Sequence, residues 1–221
     1  LHLSIRRQRQ MCIRDRFEYR IPDQGDRSLG WEGMVWIGYD FNRLWVEHEG
    51  ALSVEGPEHG ETETDLRYSR LVTPFWNAQV GVRYANEWSD DVYDDTWAGV
   101  VALQGVVPYM VEVDTSMALS EDGDLWFTGE GEYDLRVTQR LVLQPRVEFS
   151  LFAQDIPERQ VGAGLGPIDA DLRLRYEFTR RFAPYLGLRY HITVGETADL
   201  VETAGMESDQ LILLGGLRIA L

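Results

Sequence analysis

The sequence predicts an all-β protein, a transmembrane antiparallel β-barrel of about twelve strands. Three observations support this prediction. Polar and apolar residues alternate along most of the chain, as in strands whose two faces meet different surroundings. The alternating runs reach roughly ten or more residues, the length that crosses a bilayer at a tilt. Short and long connections follow one another in strict alternation, which is typical of outer-membrane barrels.

The strands can be placed in order along the chain. The segment "FEYR" (17–20) is the stub of the first strand. In "DLRLRYEFTR" the polar residues occupy the odd positions from Asp171 to Glu177, and the apolar residues occupy the even positions between them. Comparable runs predict eleven further strands at 31–41, 43–55, 61–72, 75–87, 95–107, 109–119, 125–137, 139–153, 165–179, 184–196 and 207–221. The total of twelve is even, as a single-chain barrel requires.

The connections between these strands fall into two classes. Tight turns are predicted at "DFNR", "VTPFW", "VVPY", "VTQR" and "RRFAPY". Long acidic loops are predicted at "IPDQGDRSLG", "EGPEHGE", "EWSDDVYDD", "SEDGD", "QDIPERQVGAG" and "GETADLVETAGMESD". Three tight turns carry a proline followed by an aromatic residue, at Pro74-Phe75, Pro108-Tyr109 and Pro184-Tyr185. We expect these aromatic side chains, with Trp45 nearby, to form an interfacial girdle.

The first sixteen residues differ from the rest of the chain. "RRQRQMCIRDR" (6–16) holds five of the 21 basic residues and the single cysteine, Cys12. It matches residue for residue the translation of a transposase adapter used in sequencing libraries. We therefore expect 1–16 to be a non-native, disordered segment, so that the true N-terminus is missing and 17–221 is the barrel.

Composition and motifs exclude several functions. The formal net charge is −16 and lysine is absent, so the chain has no basic footprint for nucleic acid. Outside the first sixteen residues there is no cysteine that could form a disulfide framework. We find no G-x-S-x-G, HExxH, CxxC or phosphate-binding glycine loop, and the sequence therefore predicts that the protein is not an enzyme.

Four residues are candidate metal ligands. Alternation places His191, Met110 and Met34 on the inner face, His191 at mid-height and the two methionines near opposite ends. Histidine with thioether sulfur suits copper. His59 stands in the acidic loop "EGPEHGETE", which could meet a divalent cation. The alternatives are a histidine that is hydrogen-bonded in the wall and an acidic surface that is merely solvated.

Many other charged side chains are predicted to point inward. Because unpaired charges away from water are costly, we expect them to form arginine–carboxylate networks that fill the lumen. The predicted inward set comprises Glu32, Asp40, Arg43, Glu47, Glu49, Glu63, Asp65, Arg67, Arg83, Glu112, Asp114, Glu130, Glu132, Asp134, Arg136, Arg146, Glu148, Asp169, Asp171, Arg173, Arg175, Glu177, Arg189 and Arg218.

Several long segments resemble the copper-resistance protein B family of outer-membrane proteins. They include "YDFNRLWVEHEG", "YSRLVTPFWNAQVGVRY", "TWAGVVALQGVVPYMVEVD", "EYDLRVTQRLVLQPRVE" and "GLGPIDADLRLRYEFTRRFAPYLGLRY". The resemblance runs in order from Phe17 to Leu221. It implies a barrel in the outer-membrane lipid that acts in copper tolerance, with copper ions as ligand and a periplasmic multicopper oxidase as partner. Family members carry a Met- and His-rich segment before the barrel, which this sequence lacks.

Three functional hypotheses remain open. In the first, the barrel itself binds or passes copper ions. In the second, it is a structural or docking barrel, and copper binding is confined to the missing N-terminal segment. In the third, it is a general small porin.

Overall fold

A computed structural model describes residues 10–56, 59–89, 92–156, 161–179, 181–203, 205 and 207–220. The described residues form thirteen strands and one α-helix. The strands are β1 (Gln10–Pro22), β2 (Ser28–Gly38), β3 (Asn42–Ser53), β4 (His59–Thr73), β5 (Trp76–Ser89), β6 (Val92–Val107), β7 (Val111–Ser120), β8 (Leu125–Glu132), β9 (Leu135–Arg136), β10 (Leu141–Phe152), β11 (Gly164–Tyr176), β12 (Phe182–Thr193) and β13 (Asp209–Ala220), and the helix is α1 (Gly195–Thr203).

The strands close into one antiparallel barrel. Apart from β8 and β9, each strand pairs with its sequence neighbours, and β13 pairs with β1, with Leu217 opposite Phe17. The short β9 continues β8 after a break at residues 133–134, and both pair with β10. β8 and β9 therefore act as one strand of the wall. The barrel has twelve strands, and the predicted fold class is confirmed.

The two ends of the barrel differ in their connections. One end, called the turn end below, carries the tight connections 39–41, 74–75, 108–110, 137–140 and 177–181. The opposite end, called the loop end, carries the connections 23–27, 54–58, 90–91, 121–124, 153–163 and 194–208. The predicted alternation of the two ends is confirmed, although the predicted lengths are not always right.

Two predicted loops contain regular structure. In "EWSDDVYDD" (87–95), β5 continues to Ser89 and β6 begins at Val92, so the two strands are 14 and 16 residues long. In the last predicted loop, Gly195 begins the nine-residue helix α1. Nine residues give little more than two helical turns, which is too few for the periodicity to stand out in the sequence.

The structure also differs from the expectation of disorder throughout 1–16. Residues 10–16 form the first half of β1, with Arg14 opposite Met34 on β2 and Ala220 on β13. Without this segment, β2 and β13 would each present an unpaired edge at this height. Backbone pairing does not depend on side-chain identity, so even an atypical sequence can satisfy the two edges. The origin of 1–16 stays a prediction.

The wall has an apolar outer face and a charged inner face. Outward side chains such as Leu44, Val82 and Leu188 are exposed around the barrel. Inward side chains include buried arginines and carboxylates, among them Arg173 and Asp65, each only 2% exposed. The described residues contain no helix that is long and apolar enough to span a membrane.

The predicted aromatic girdle is confirmed only in part. Phe75 and Tyr109 are exposed at the turn end, whereas Tyr185 and Trp45 are buried and face the lumen. Tyr185 Oη donates a hydrogen bond to Glu18. Tyr185 occupies the same face of β12 as Arg189, so the alternation that placed Arg189 inside also places Tyr185 there.

Candidate metal-binding cavity and luminal ion pairs

The centre of the lumen is occupied by buried ion pairs. Asp171 on β11 accepts two hydrogen bonds from Arg189, at 2.7 and 3.0 Å. The same carboxylate lies 2.7 Å from Arg173 and 3.6 Å from Arg146. Arg173 also contacts Glu18 on β1, at 3.2 Å. The network thus links β10, β11, β12 and β1 across the interior.

A second group of ion pairs lies on the neighbouring part of the wall. Asp65 on β4 accepts hydrogen bonds from Arg83 Nε and Nη2 at 2.8 and 2.9 Å. Arg67 lies 2.7 Å from Asp65 and also contacts Glu47. Paired, hydrogen-bonded charges of this kind compensate the cost of removing them from water. The predicted arginine–carboxylate filling is confirmed for these residues.

A cavity of about 410 Å³ lies on the loop-end side of these ion pairs. Its lining holds more acidic than basic groups. The carboxylates are Glu18, Glu32, Glu49, Glu61, Glu63, Glu87, Asp94, Glu148 and Asp169, and the arginines are Arg16, Arg20, Arg146, Arg173 and Arg189. Nine carboxylates against five arginines give this loop-end cavity an excess of negative charge, which attracts cations.

Three of these carboxylates stand in one row across adjacent strands. Glu49 on β3 lies directly opposite Glu32 on β2 and directly opposite Glu63 on β4. Glu32 is 3.3 Å from Arg16, and Glu63 is 2.9 Å from Arg83. Glu49 makes no hydrogen bond or ion pair with the described part of the chain. Like charges directly opposite one another destabilise a sheet, so this row favours a bound cation.

His191 lies beside the acidic cavity, near the loop end rather than at mid-height. It is two residues from the end of β12 and directly opposite Asp169 on β11. The His191 Nδ1 atom is 2.8 Å from Asp169 Oδ1, and Nε2 is 3.4 Å from Thr193 Oγ1. A carboxylate bound to one ring nitrogen orients the imidazole. A metal ion that binds Nε2 would replace its contact with the Thr193 hydroxyl.

The other three candidates are not brought to His191. Met34 faces the lumen opposite Glu47, on a strand separated from β12 by β13 and β1. His59 is the exposed first residue of β4 at the loop end, and Glu58 beside it lies outside the described residues. Within the described ranges, no group of three or more His, Cys, Asp or Glu is arranged to hold a metal ion.

The predicted inward position of Met110 is wrong. Met110 lies in a short 3₁₀ turn, Pro108–Met110, at the turn end, and it is 75% exposed. Tyr109 and Met110 both have positive φ, at 70° and 64°. This left-handed backbone interrupts the alternation, so the strand periodicity cannot be carried back from Val111. Met34 also lies in the half of β2 nearer the turn end, so the two methionines are not at opposite ends.

Two features of the interior were not predicted from the sequence: the buried position of Glu18 and the row of three glutamates. Glu18 is 2% exposed and contacts Arg20, Arg173 and Tyr185. The alternation of Phe17 and Tyr19 with Glu18 and Arg20 could have indicated that Glu18 points into the lumen. The direct opposition of three glutamates had no such signal, because register depends on the geometry of the turns between strands.

The chain is similar to known proteins in both sequence and fold. The family described as "Copper resistance protein B precursor (CopB)" matches residues 8–221. A copper resistance protein B of Escherichia coli is 34% identical over 212 residues, covering 95% of this chain and 68% of that relative. A copper resistance protein B homolog of Pseudomonas syringae pv. tomato is 31% identical over 207 residues, covering 94% of this chain and 68% of that relative.

Solved structures with the same fold include outer-membrane-type barrels. The KdgM porin superimposes with a TM-score of 0.56 at 10% identity, covering 93% of this chain and 98% of that one. The NanC porin gives 0.56 at 12% identity, covering 94% and 98%. LpxR from Salmonella typhimurium gives 0.52 at 10% identity, covering 95% and 99%. These likenesses establish the fold, and the sequence match over nearly the whole chain establishes that the protein belongs to the copper resistance protein B family.

Proposed function

We propose that the protein is a non-enzymatic outer-membrane barrel that binds copper ions in its loop-end cavity. The apolar outer face supports a location in outer-membrane lipid. In the orientation usual for such barrels, the turn end faces the periplasm and the loop end faces the exterior. The family supports a role in copper resistance, and the resemblance supports a periplasmic multicopper oxidase as partner.

The charge balance of the loop-end cavity carries this proposal. Its nine carboxylates exceed its five arginines, and Glu49 has like charges on both sides. Carboxylates alone do not select copper, because they also suit magnesium and calcium. His191 is not part of the cavity lining, but its imidazole is held by Asp169, which is. This imidazole supplies a nitrogen ligand that suits cupric copper. Neither Met34 nor His59 lines this cavity, and both stay secondary candidates.

The test is a cupric titration of the purified chain in detergent micelles, with His191→Ala as the variant. We expect the substitution to weaken cupric binding by roughly tenfold or more, since losing even a group that orients a ligand costs that much. Met110→Ala is the matched control, because Met110 lies exposed at the opposite end and takes no part in the proposed site. Equal affinity in the native chain and His191→Ala would contradict the assignment.

A second candidate function is a closed scaffold that holds copper-binding segments in place without passing ions. The buried arginines and carboxylates around Asp171 and Asp65 favour it, because they fill the centre of the lumen. The loop-end cavity also shares no lining residue with a second cavity, which lies at the turn end around Arg175 and Phe178.

Ion flux into liposomes separates the two candidates. For a closed scaffold, we expect copper and magnesium to enter protein-containing vesicles no faster than protein-free vesicles. Copper entry that is faster than magnesium entry would instead support a selective path through the lumen. Equally rapid entry of both ions would support the general porin.

A further inference from the structure

A second cavity, of about 630 Å³, opens at the turn end of the barrel and has the opposite charge balance. Among the described residues, its lining includes five arginines and two carboxylates: Arg136, Arg140, Arg175, Arg181 and Arg218 against Asp134 and Glu177. The whole chain has a formal net charge of −16, so five arginines around one cavity are a marked local departure. Copper cations are repelled from such a site, and the proposed copper function gives it no role.

The carboxylates present do not satisfy all of these arginines. Arg175 Nη2 lies 2.7 Å from Asp134 and 3.5 Å from Glu177, and Arg136 lies 3.4 Å from Glu177. Arg140 and Arg181 stand in the turns that bound the cavity and form no ion pair with the part of the chain that the structure describes.

Arg175 provides the second, independent observation. It is only 2% exposed, yet its Nε and Nη1 atoms have no hydrogen-bond partner among the described residues. An unsatisfied buried donor on a charged group carries a large desolvation cost. A guanidinium N–H donates a strong, charge-assisted hydrogen bond to an oxygen of a phosphate or carboxylate.

We infer that the turn-end cavity is an oxyanion site that takes a phosphate group, with Arg175 as the buried donor and Arg140 and Arg181 at the entrance. The phosphate has two possible sources, a free anion in solution or the headgroup of an anionic phospholipid. Phe178 and Phe182 also line the cavity and are exposed at its rim, which places it at the height of an interfacial aromatic belt. A headgroup phosphate lies at that height as well.

The experiment measures inorganic phosphate binding by calorimetry with the full chain, in a phosphate-free maltoside detergent without copper. The variant is Arg140→Gln/Arg181→Gln, which changes two exposed turn residues and leaves the buried network intact. We expect its phosphate affinity to fall roughly tenfold or more, the effect of losing charge-assisted hydrogen bonds. Arg70→Gln, an exposed outward arginine at the same end, is the control and should stay within about twofold of the native chain.

A second arm tests the lipid source. Native mass spectrometry compares retention of phosphatidylglycerol with that of a neutral glycolipid by the same three proteins. Phosphate binding that depends on Arg140 and Arg181 supports a free anion as the ligand. Phosphatidylglycerol retention that depends on them, without calorimetric phosphate binding, supports the headgroup. Binding of neither ligand, or equal binding by all three proteins, overturns the proposal.

Arg175→Lys tests the buried donor separately. It keeps the positive charge but removes the Nε and Nη1 donors. We expect a folded barrel that binds phosphate or phosphatidylglycerol more weakly than the native chain does. Full binding by a folded Arg175→Lys protein would show that Arg175 is not the donor and would overturn its assigned role.

Discussion

Asp171 shows at the residue scale how the interior is held together. One carboxylate, almost completely buried, contacts Arg146, Arg173 and Arg189 from three strands of the wall. Substitution by asparagine keeps the shape but leaves three buried guanidinium groups without their common counter-charge. We expect Asp171→Asn to lower the free energy of unfolding by about 3–5 kcal/mol, the cost of breaking a buried pair.

Urea unfolding of the barrel in micelles, followed by tryptophan fluorescence, measures this change. Asp122→Asn is the control, since Asp122 is exposed in the connection between β7 and β8, and its effect should stay within about 0.5 kcal/mol. A loss of stability for Asp171→Asn no larger than for the control would mean that the central ion pairs do not stabilise the barrel.

Single residues also show what the sequence could and could not predict. His191 and Met34 were placed on the lumen by strand alternation, and the structure has both there. Met110 was misplaced because a left-handed turn precedes β7. The contact between His191 and Asp169 depends on the register of β11 and β12, which alternation within one strand does not reveal.

At the element scale, the like charges of Glu32, Glu49 and Glu63 repel one another across three neighbouring strands. Removing the middle charge relieves two unfavourable cross-strand pairs. We therefore expect Glu49→Gln to raise the free energy of unfolding by roughly 0.5–1 kcal/mol in copper-free buffer. The same variant should bind copper more weakly than the native chain, because the cavity loses part of its negative charge.

Unfolding and cupric titration on the same samples check both effects. Glu121→Gln, a charge change on an exposed loop residue, is the control and should alter neither quantity. A Glu49→Gln protein that is less stable than the native barrel, or that binds copper equally well, would contradict this account of the row.

Elements differed in how well they could be predicted. The long strands were found because ten or more alternating residues give a repeated signal. The turn end was also found, because three of its five predicted turn segments contain proline, which favours tight turns. The helix α1 and the break between β8 and β9 were missed, because each extends over too few residues to change the local pattern.

At the scale of the whole molecule, the two cavities have opposite charge. Carboxylates outnumber arginines nine to five at the loop end, and arginines outnumber carboxylates five to two at the turn end. This asymmetry attracts cations to one mouth and anions to the other. It could not be read along the sequence, because each cavity collects side chains from strands that are distant in the chain.

The proposed copper site is tested most directly by electron paramagnetic resonance of the native chain with one equivalent of cupric ion. Binding at His191 predicts nitrogen hyperfine coupling from one imidazole, which is lost in His191→Ala and kept in Met110→Ala. Identical nitrogen coupling in His191→Ala, or a spectrum with oxygen ligands alone in the native chain, would contradict the assignment of copper binding to His191.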